Sequence, residues 1–258
     1  MTLAKPHKKG FHAMTKSLLI ICDRYLTANG PALRIAGGVE RELAHVHGVP
    51  HGSVQVMVIV LNDNQPHILL HRRSPRKKIG ANQWDVCGGH VEANAEVLGD
   101  TGNWNNQAFM ARLFADTALR EANEEVTLLS HPEFKFLPEH IQGFGGLGVF
   151  QAGMDDPSAL NREHSACYFA FVPREVLQLN EAADVGDSIA VQDSVGVAEV
   201  EEEERSEQVA LVTLPELLAD FRQNPGDYAD GVARVLKVLE QEPASVAELC
   251  ALIRGFYS

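Results

Sequence analysis

The chain has 258 residues, 45% of them hydrophobic and 22% charged, a balance that excludes collagen, coiled coil and a wholly disordered chain. Twenty-two Lys and Arg against 35 Asp and Glu leave a net charge of −13, which argues against a nucleic acid polymer as partner, because such binding needs a basic face. Anionic small molecules stay open, through clustered basic residues or a bound metal cation.

Residues 1–16 form a basic stretch with no apolar segment and cleavage site behind it, and read as a loose tail; residues 17–258 are expected to form one domain. Leu18–Cys22 is a short apolar strand, and Gly30-Pro31 and Gly37-Gly38 punctuate the connection after it. Val54–Leu61 is rich in β-branched residues and is the strongest strand signal. Asn62–Pro66 is a turn and His67–His71 the returning strand, giving a hairpin. Arg72 to Lys78 then places five of the 22 basic residues in seven positions. Trp84–Val91 reads as a short strand broken by Gly88 and Gly89. Residues 93–107 are polar and read as a surface loop, and a helix covers at least Ala115–Val126. Another strand lies near Cys167–Val172. The acidic stretch Glu181–Gln208 reads as a mobile segment, followed by helices over Leu214–Phe221, Tyr228–Leu239 and Val246–Ile253. Strands and helices mixed in this way predict an α/β fold, a mixed sheet flanked by helices. Cys22, Cys87, Cys167 and Cys250 lack metal-site or framework spacing, which suggests a reducing, cytoplasmic setting. No uncharged apolar run approaches the roughly 18 residues of a membrane span, so no membrane partner is expected.

The chemistry concentrates in Arg120-Glu121-Ala122-Asn123-Glu124-Glu125. At about 100° per residue, Glu121, Glu124 and Glu125 share about one third of a helix circumference. Ala115, Leu119, Ala122 and Val126 lie opposite and form the apolar stripe. Three close carboxylates repel one another unless a cation compensates, and hard cations such as Mg²⁺ or Mn²⁺ take carboxylate oxygens.

Gly89 with the downstream Arg-Glu-x-x-Glu-Glu-x-x-Leu128 resembles the Nudix box. His51–Val58, Leu69–Ser74, Lys77 or Lys78 and Gln83–Val91 are similar to the branch that also holds isopentenyl-diphosphate isomerase. The resemblance implies the Nudix fold, an α/β/α sandwich, and metal-dependent cleavage of a nucleoside diphosphate-linked or related small diphosphate. It implies that Gly88, Glu121, Glu124 and Glu125 hold Mg²⁺ or Mn²⁺, that Glu124 or Glu125 handles the attacking water, and that Arg120 pairs with Glu92 or Glu96. Glu163 is the candidate for a further metal ligand. Arg72, Arg73, Lys77 and Lys78 are candidates to grip the diphosphate, with Trp84 to stack on a base or pack in the core. The isomerase-like branch would also make metal ligands of His51, His71 and His90, with His45 and His47 close by; taken singly, strand histidines are ordinarily structural.

The match has departures. Ala95 stands where the box has its first glutamate, with Glu92 and Glu96 as substitutes. Twenty-four residues separate Ala95 from Arg120 where the box has seven, an insertion of about 17 residues near positions 95–115. Thr127 replaces the box glycine. Three readings therefore stay open: a pyrophosphohydrolase, an isomerase, and a nucleotide-binding regulatory module. Cys87 lies one residue off the isomerase's cysteine position, and the intact glutamate trio favours hydrolysis. Such folds commonly pair, so a homodimer is also open.

Overall fold

The computed structural model describes residues 18–27, 30–62, 64–77, 80–129, 131–145, 149–152, 161–177, 189–194, 203–205 and 208–258. The tail 1–16, Lys78, and positions 181–188, 195–202, 206 and 207 of the acidic segment lie outside the described residues.

The centre of the fold is β3 (His51–Asn62), the run rich in β-branched residues. It pairs antiparallel with β4 (Gln65–Arg72) along its second half and with β6 (Cys87–His90) along its first half. On its other edge it pairs parallel with β10 (Glu163–Phe171), which is followed by the short helix α4 (Arg174–Leu177). The hairpin turn is therefore where the sequence places it, and the sheet is mixed.

Leu18–Cys22 extends further than its apolar run. β1 (Leu18–Thr27) pairs along its whole length with β2 (Gly30–Glu40), so the glycine-punctuated connection is a strand. Its register shifts between Ile21 and Cys22, opposite Gly37, which takes φ 146°. That backbone is open to glycine and not to β-branched residues. The short helix α1 (Arg41–His47) returns the chain to β3. Further strands β5 (Trp84–Asp85), β8 (Ile141–Gly143), β9 (Val149–Ala152) and β13 (Val209–Val212) complete the large sheet. The segment read as mobile contributes β11 (Ile189–Ser194) and β12 (Glu203–Arg205), which join β7 (Val126–Leu128) in a small second sheet.

Alternation along β3 divides the core in two. Val54, Val56, Val58 and Val60 face a layer built on α3 (Gln107–Glu125). Met57 and Ile59 face α5 (Leu214–Gln223), α6 (Asp230–Gln241) and α7 (Pro243–Tyr257). The layers are thus helix, mixed sheet, helix. No described helix is long and apolar enough to cross a membrane.

The insertion is folded rather than an open loop. It holds α2 (Ala95–Gly99), a 3₁₀ turn over Thr101–Asn103 and the first turns of α3, which starts at Gln107 instead of near Ala115. Asn106 caps α3 by accepting from Ala108 and Phe109 N–H groups, satisfying donors that have no partner inside the helix. The Trp104 indole N–H donates to the Val97 carbonyl (2.9 Å), and the Trp104 carbonyl accepts from Ile35 N–H (3.0 Å). Gln107 donates to the Leu33 carbonyl (2.7 Å). The insertion thus clamps β2 onto α3. Trp104→Ala is expected to destabilise the fold by about 2 kcal/mol, below the usual range for a fully buried Trp because this one is half-buried. Denaturant midpoints check this, and KM for any substrate is expected to stay unchanged.

Candidate active site

A cleft of about 610 Å³ opens at the polar end of β3, where Asp230 and Gly231 at the start of α6 form part of the wall. It is lined by the glycine pair of β6, by Arg120, Glu121, Glu124 and Glu125 from α3, by Arg41 and His45 from α1, and by Asn161 and Glu163 at the start of β10. The basic segment contributes Arg73 and Lys77.

The glutamate trio does not sit as a uniform outer face. The buried stripe of α3 runs Met110, Phe114, Thr117, Ala118, Glu121, Ala122, so Glu121 belongs to the side packed on the sheet. It fits there because β6 carries no side chain at Gly89; a Cβ at that position would run into the Glu121 carboxylate. Gly88 is constrained from the other direction, since a Cβ there would meet the Val54 carbonyl. The Gly88 N–H donates to Glu125 Oε2 (3.0 Å). Glu124 is the exposed member. Asn123 faces away, accepting from Phe136 N–H (2.7 Å) and donating to the Phe136 carbonyl (3.1 Å), which fastens the next loop.

Arg120 pairs within its own helix rather than with Glu96. It bonds Glu121 Oε1 (2.6 Å) and Glu124 Oε2 (2.8 Å) and donates to the His90 carbonyl (3.2 Å), with Glu92 close enough to add to the field. It therefore does fix the loop to the helix, through the backbone of β6. Thr127 in place of the box glycine also has a local reason. α3 runs straight into β7, Val126 is already extended at φ −105°, and Thr127 pairs with Ala190, a setting suited to a β-branched residue.

Two candidates for ligand contact stand elsewhere. The Arg72 guanidinium stacks over the Trp84 ring at 4.7 Å, and neither residue lines the cleft. Arg73 pairs with Asp85 at the cleft wall. Cys87 is 2% exposed within the α3-side core, and burial pushes its thiol well above the ordinary range, with Glu125 and Asp85 adding to the effect.

Glu163 touches no member of the trio. It accepts from Ser53 Oγ (2.8 Å) and Asn161 Nδ2 (2.7 Å), and its Oε1 stands 3.4 Å from His90 Nε2 and 3.9 Å from His51 Nε2. Burial pushes this carboxyl up, yet bonding and charge from His90 and His51, with the Asn161 bond, hold it well below the ordinary range. His45 completes the group, its Nε2 3.3 Å from His90 Nε2. Burial, with the neighbouring histidines, lowers His45 to about 4 and also lowers His51. His71 lies apart, near the Val86 carbonyl, and is outside this group. Ser53, Asn161 and Arg41 are the residues sequence reasoning left without a role here, and His45 entered it only as a neighbour of His51. Arg41 faces Glu121, Glu163 and Glu92 electrostatically; the sequence signal for the set was the His45-to-His51 spacing followed by Gly-Gly-His.

The donors at the glycine pair suit a hard divalent cation. Glu121 and Glu125 lie against a backbone that a side chain would block, Arg120 pairs with Glu121 and Glu124, and Arg41 also faces Glu121. A family model for the NUDIX domain matches residues 52–227. The chain belongs to the Nudix family. Solved Nudix structures are similar to it at low identity. They include a mutT/nudix family protein from Listeria innocua (20% identity, 78% of this chain and 96% of that one covered, TM-score 0.38). A NUDIX hydrolase from Alicyclobacillus acidocaldarius matches at 15% identity, covering 76% and 94%, with TM-score 0.43. A MutT protein from Methanosarcina mazei Go1 matches at 15%, covering 75% and 95%, with TM-score 0.40. No curated protein sequence matches. The segment that resembles the Nudix box, from Gly89 to Leu128, thus carries a folded insertion.

Burial raises the Glu121 carboxyl above its ordinary 4.5, against the opposing pull of Arg120. A raised folded-state value means the fold favours the protonated acid, so its contribution to stability falls as pH rises from 4.5 through the raised value. Glu121→Gln is therefore expected to gain stability over the parent at pH 7 and to lose most of that gain near pH 4.5. Urea midpoints of both proteins in metal-free buffer at the two pH values check this. Gly89→Ala is expected to displace the Glu121 carboxylate and to reduce turnover at least 10²-fold, the scale for removing a positioned catalytic group, measured alongside a far-UV spectrum that stays native.

Proposed function

We propose that the protein is a pyrophosphohydrolase that uses Mg²⁺ or Mn²⁺ and cleaves the phosphoanhydride of a nucleoside diphosphate-linked or related small diphosphate. The observation that carries this is the placement of Glu121 against Gly89 and of Glu125 on the Gly88 N–H, with Glu124, Arg73 and Lys77 lining the same cleft.

Glu121, Glu124, Glu125 and the Gly88 carbonyl are the groups that would hold the cation. When bound, it would polarise phosphate oxygens and acidify water. Lys77 would meet phosphate as a point charge and Arg73 as a planar donor. Arg120 orients the trio by holding Glu121 and Glu124 together. Of the three carboxylates, Glu125 receives Gly88 N–H and Glu121 is buried, so Glu124 is the one free to take a proton from the attacking water on its Oε1. Cys87, enclosed in the core, offers no thiol to the cleft, which weighs against alkene protonation. We read residues 17–258 as one domain, since both core layers pack on one sheet.

The test is an assay with Mg²⁺ or Mn²⁺ over nucleoside diphosphate sugars, dinucleoside polyphosphates, NADH, coenzyme A and isopentenyl diphosphate. Phosphate-containing products are expected from at least one of them, with turnover falling at least 10²-fold in Glu124→Gln. Rearranged isopentenyl diphosphate without phosphate release, or tight binding without product, would contradict hydrolysis.

A further inference from the structure

A second cavity, of about 370 Å³, lies on the α3 face of the sheet and shares no lining residue with the cleft. Protein interiors are close-packed, with few voids larger than a water molecule, and this volume falls within the range of small-molecule sites. Its walls come from β1 and β2, from the start of α3, from β8 with the residues after it, and from β10. The α3 wall is Gln107, Met110, Ala111 and Phe114, all within the insertion at positions 95–115. The cavity therefore owes one wall to the insertion. Small residues keep it open: Ala32 and Ala166 line it, and Gly143 pairs opposite Tyr168 across β8 and β10. A Cβ at Gly143 would stand 3.5 Å from the Tyr168 ring, so the glycine leaves that flank of the ring uncovered. Met110 and Phe114, both buried, give the apolar floor.

Two polar groups interrupt that lining, once Gln107 is set aside because its amide already donates to the Leu33 carbonyl. The Tyr168 hydroxyl stands 3.5 Å from the Ala111 carbonyl, longer than the usual O–H···O distance of about 2.5–3.0 Å. Burial raises it to about 12, with Asp116, from outside the lining, and Cys167 adding to the effect, so it keeps its proton and remains a donor. Arg24 is the other group. It is exposed at the rim and makes no hydrogen bond or ion pair among the described residues. The acid beside it in sequence, Asp23, is taken by Arg34 at 2.7 Å. Its charge is felt inside the fold: after burial, Arg24 is the next cause that lowers His164, two residues before Ala166 on the same face of β10, to about 4. An unpaired cation at the rim of an aromatic cavity, in a chain of net charge −13, is complementary to an apolar ring that carries a negative group.

We propose that this cavity is a second binding site, for a small molecule with a flat aromatic body and one anionic group, the ring lying among Met110, Phe114 and Tyr168 and the anion meeting Arg24. The Tyr168 hydroxyl donates to a polar atom on the ring. The site is separate from the cleft: Phe114 precedes Glu121 by about two turns of α3, or about 11 Å along the helix. Its ligand is therefore not the diphosphate, and the proposal stands whether or not the cleft hydrolyses one.

The test titrates the full chain, in metal-free buffer, with anilinonaphthalene sulfonate, an aromatic anion whose fluorescence rises in apolar surroundings. Saturable binding of about one equivalent is expected. Naphthoate is expected to displace the dye, and neutral naphthamide to do so about fivefold less well, the upper end for a charge pair at an exposed site. Arg24→Met is expected to weaken dye and naphthoate by about the same factor and to leave naphthamide unchanged. Ala111→Trp, at an exposed position of α3, is expected to fill the cavity and weaken all three at least tenfold. Both substitutions are at exposed positions on different elements, so native far-UV spectra are expected from both. Glu124→Gln is expected to bind the dye as the parent does, which separates a failure here from a failure of the hydrolase reading. No saturable dye binding, naphthamide binding as tightly as naphthoate, or unchanged binding of the anions in either Arg24→Met or Ala111→Trp would overturn the proposal.

Discussion

The site depends on one close approach, that of the C-terminal turns of α3 to a strand with no side chain at two successive positions, Gly88 and Gly89. Only because Gly88 and Gly89 leave β6 bare can Glu121 lie against it and Glu125 accept a backbone N–H. Burying a carboxylate costs free energy unless hydrogen bonds and opposite charge offset it. Arg120 supplies part of that offset within the chain, and a divalent cation would supply the rest. Burial raises the Glu121 carboxyl above its ordinary range against the pull of Arg120.

β3 is the element that makes this approach possible. Its even-numbered valines hold α3 and its odd-numbered Met57 and Ile59 hold the C-terminal helices. At its first residues the odd face changes from apolar to polar, with His51, Ser53 and Gln55. The cleft opens there, bounded on the C-terminal side by the start of α6, whose Gly231 lies against the Gln55 side chain. The glutamates reach it around β6, which pairs with β3 alone among the described residues.

Much of this was legible in the residues. β-branched density marked β3, the turn residues marked the hairpin, and the glutamate spacing with Gly88-Gly89 marked α3 and the family. What was not legible depended on pairing partners far away in sequence. β2 hid behind its glycines, because a bulge that needs glycine looks like a connection until its partner β1 is known. The insertion looked like a polar loop because its Asn residues serve as caps and turns, and one of its large anchors, Trp104, bonds to a strand about 70 residues earlier. Helical periodicity placed the glutamates on one face but could not show that Glu121 sits on the buried stripe, since that follows from a neighbour lacking a side chain. Arg72 and Trp84 were attractive as ligand contacts by type, yet adjacent strands bring them onto each other.

The account stands on a divalent cation held between the α3 glutamates and the glycine turn. The most direct measurement is an anomalous difference map from crystals grown with Mn²⁺, collected above the manganese absorption edge. A peak is predicted between the carboxylates of Glu121, Glu124 and Glu125 and the Gly88 peptide. A fully occupied crystal form with those oxygens turned to solvent and no peak beside Gly88 would contradict it.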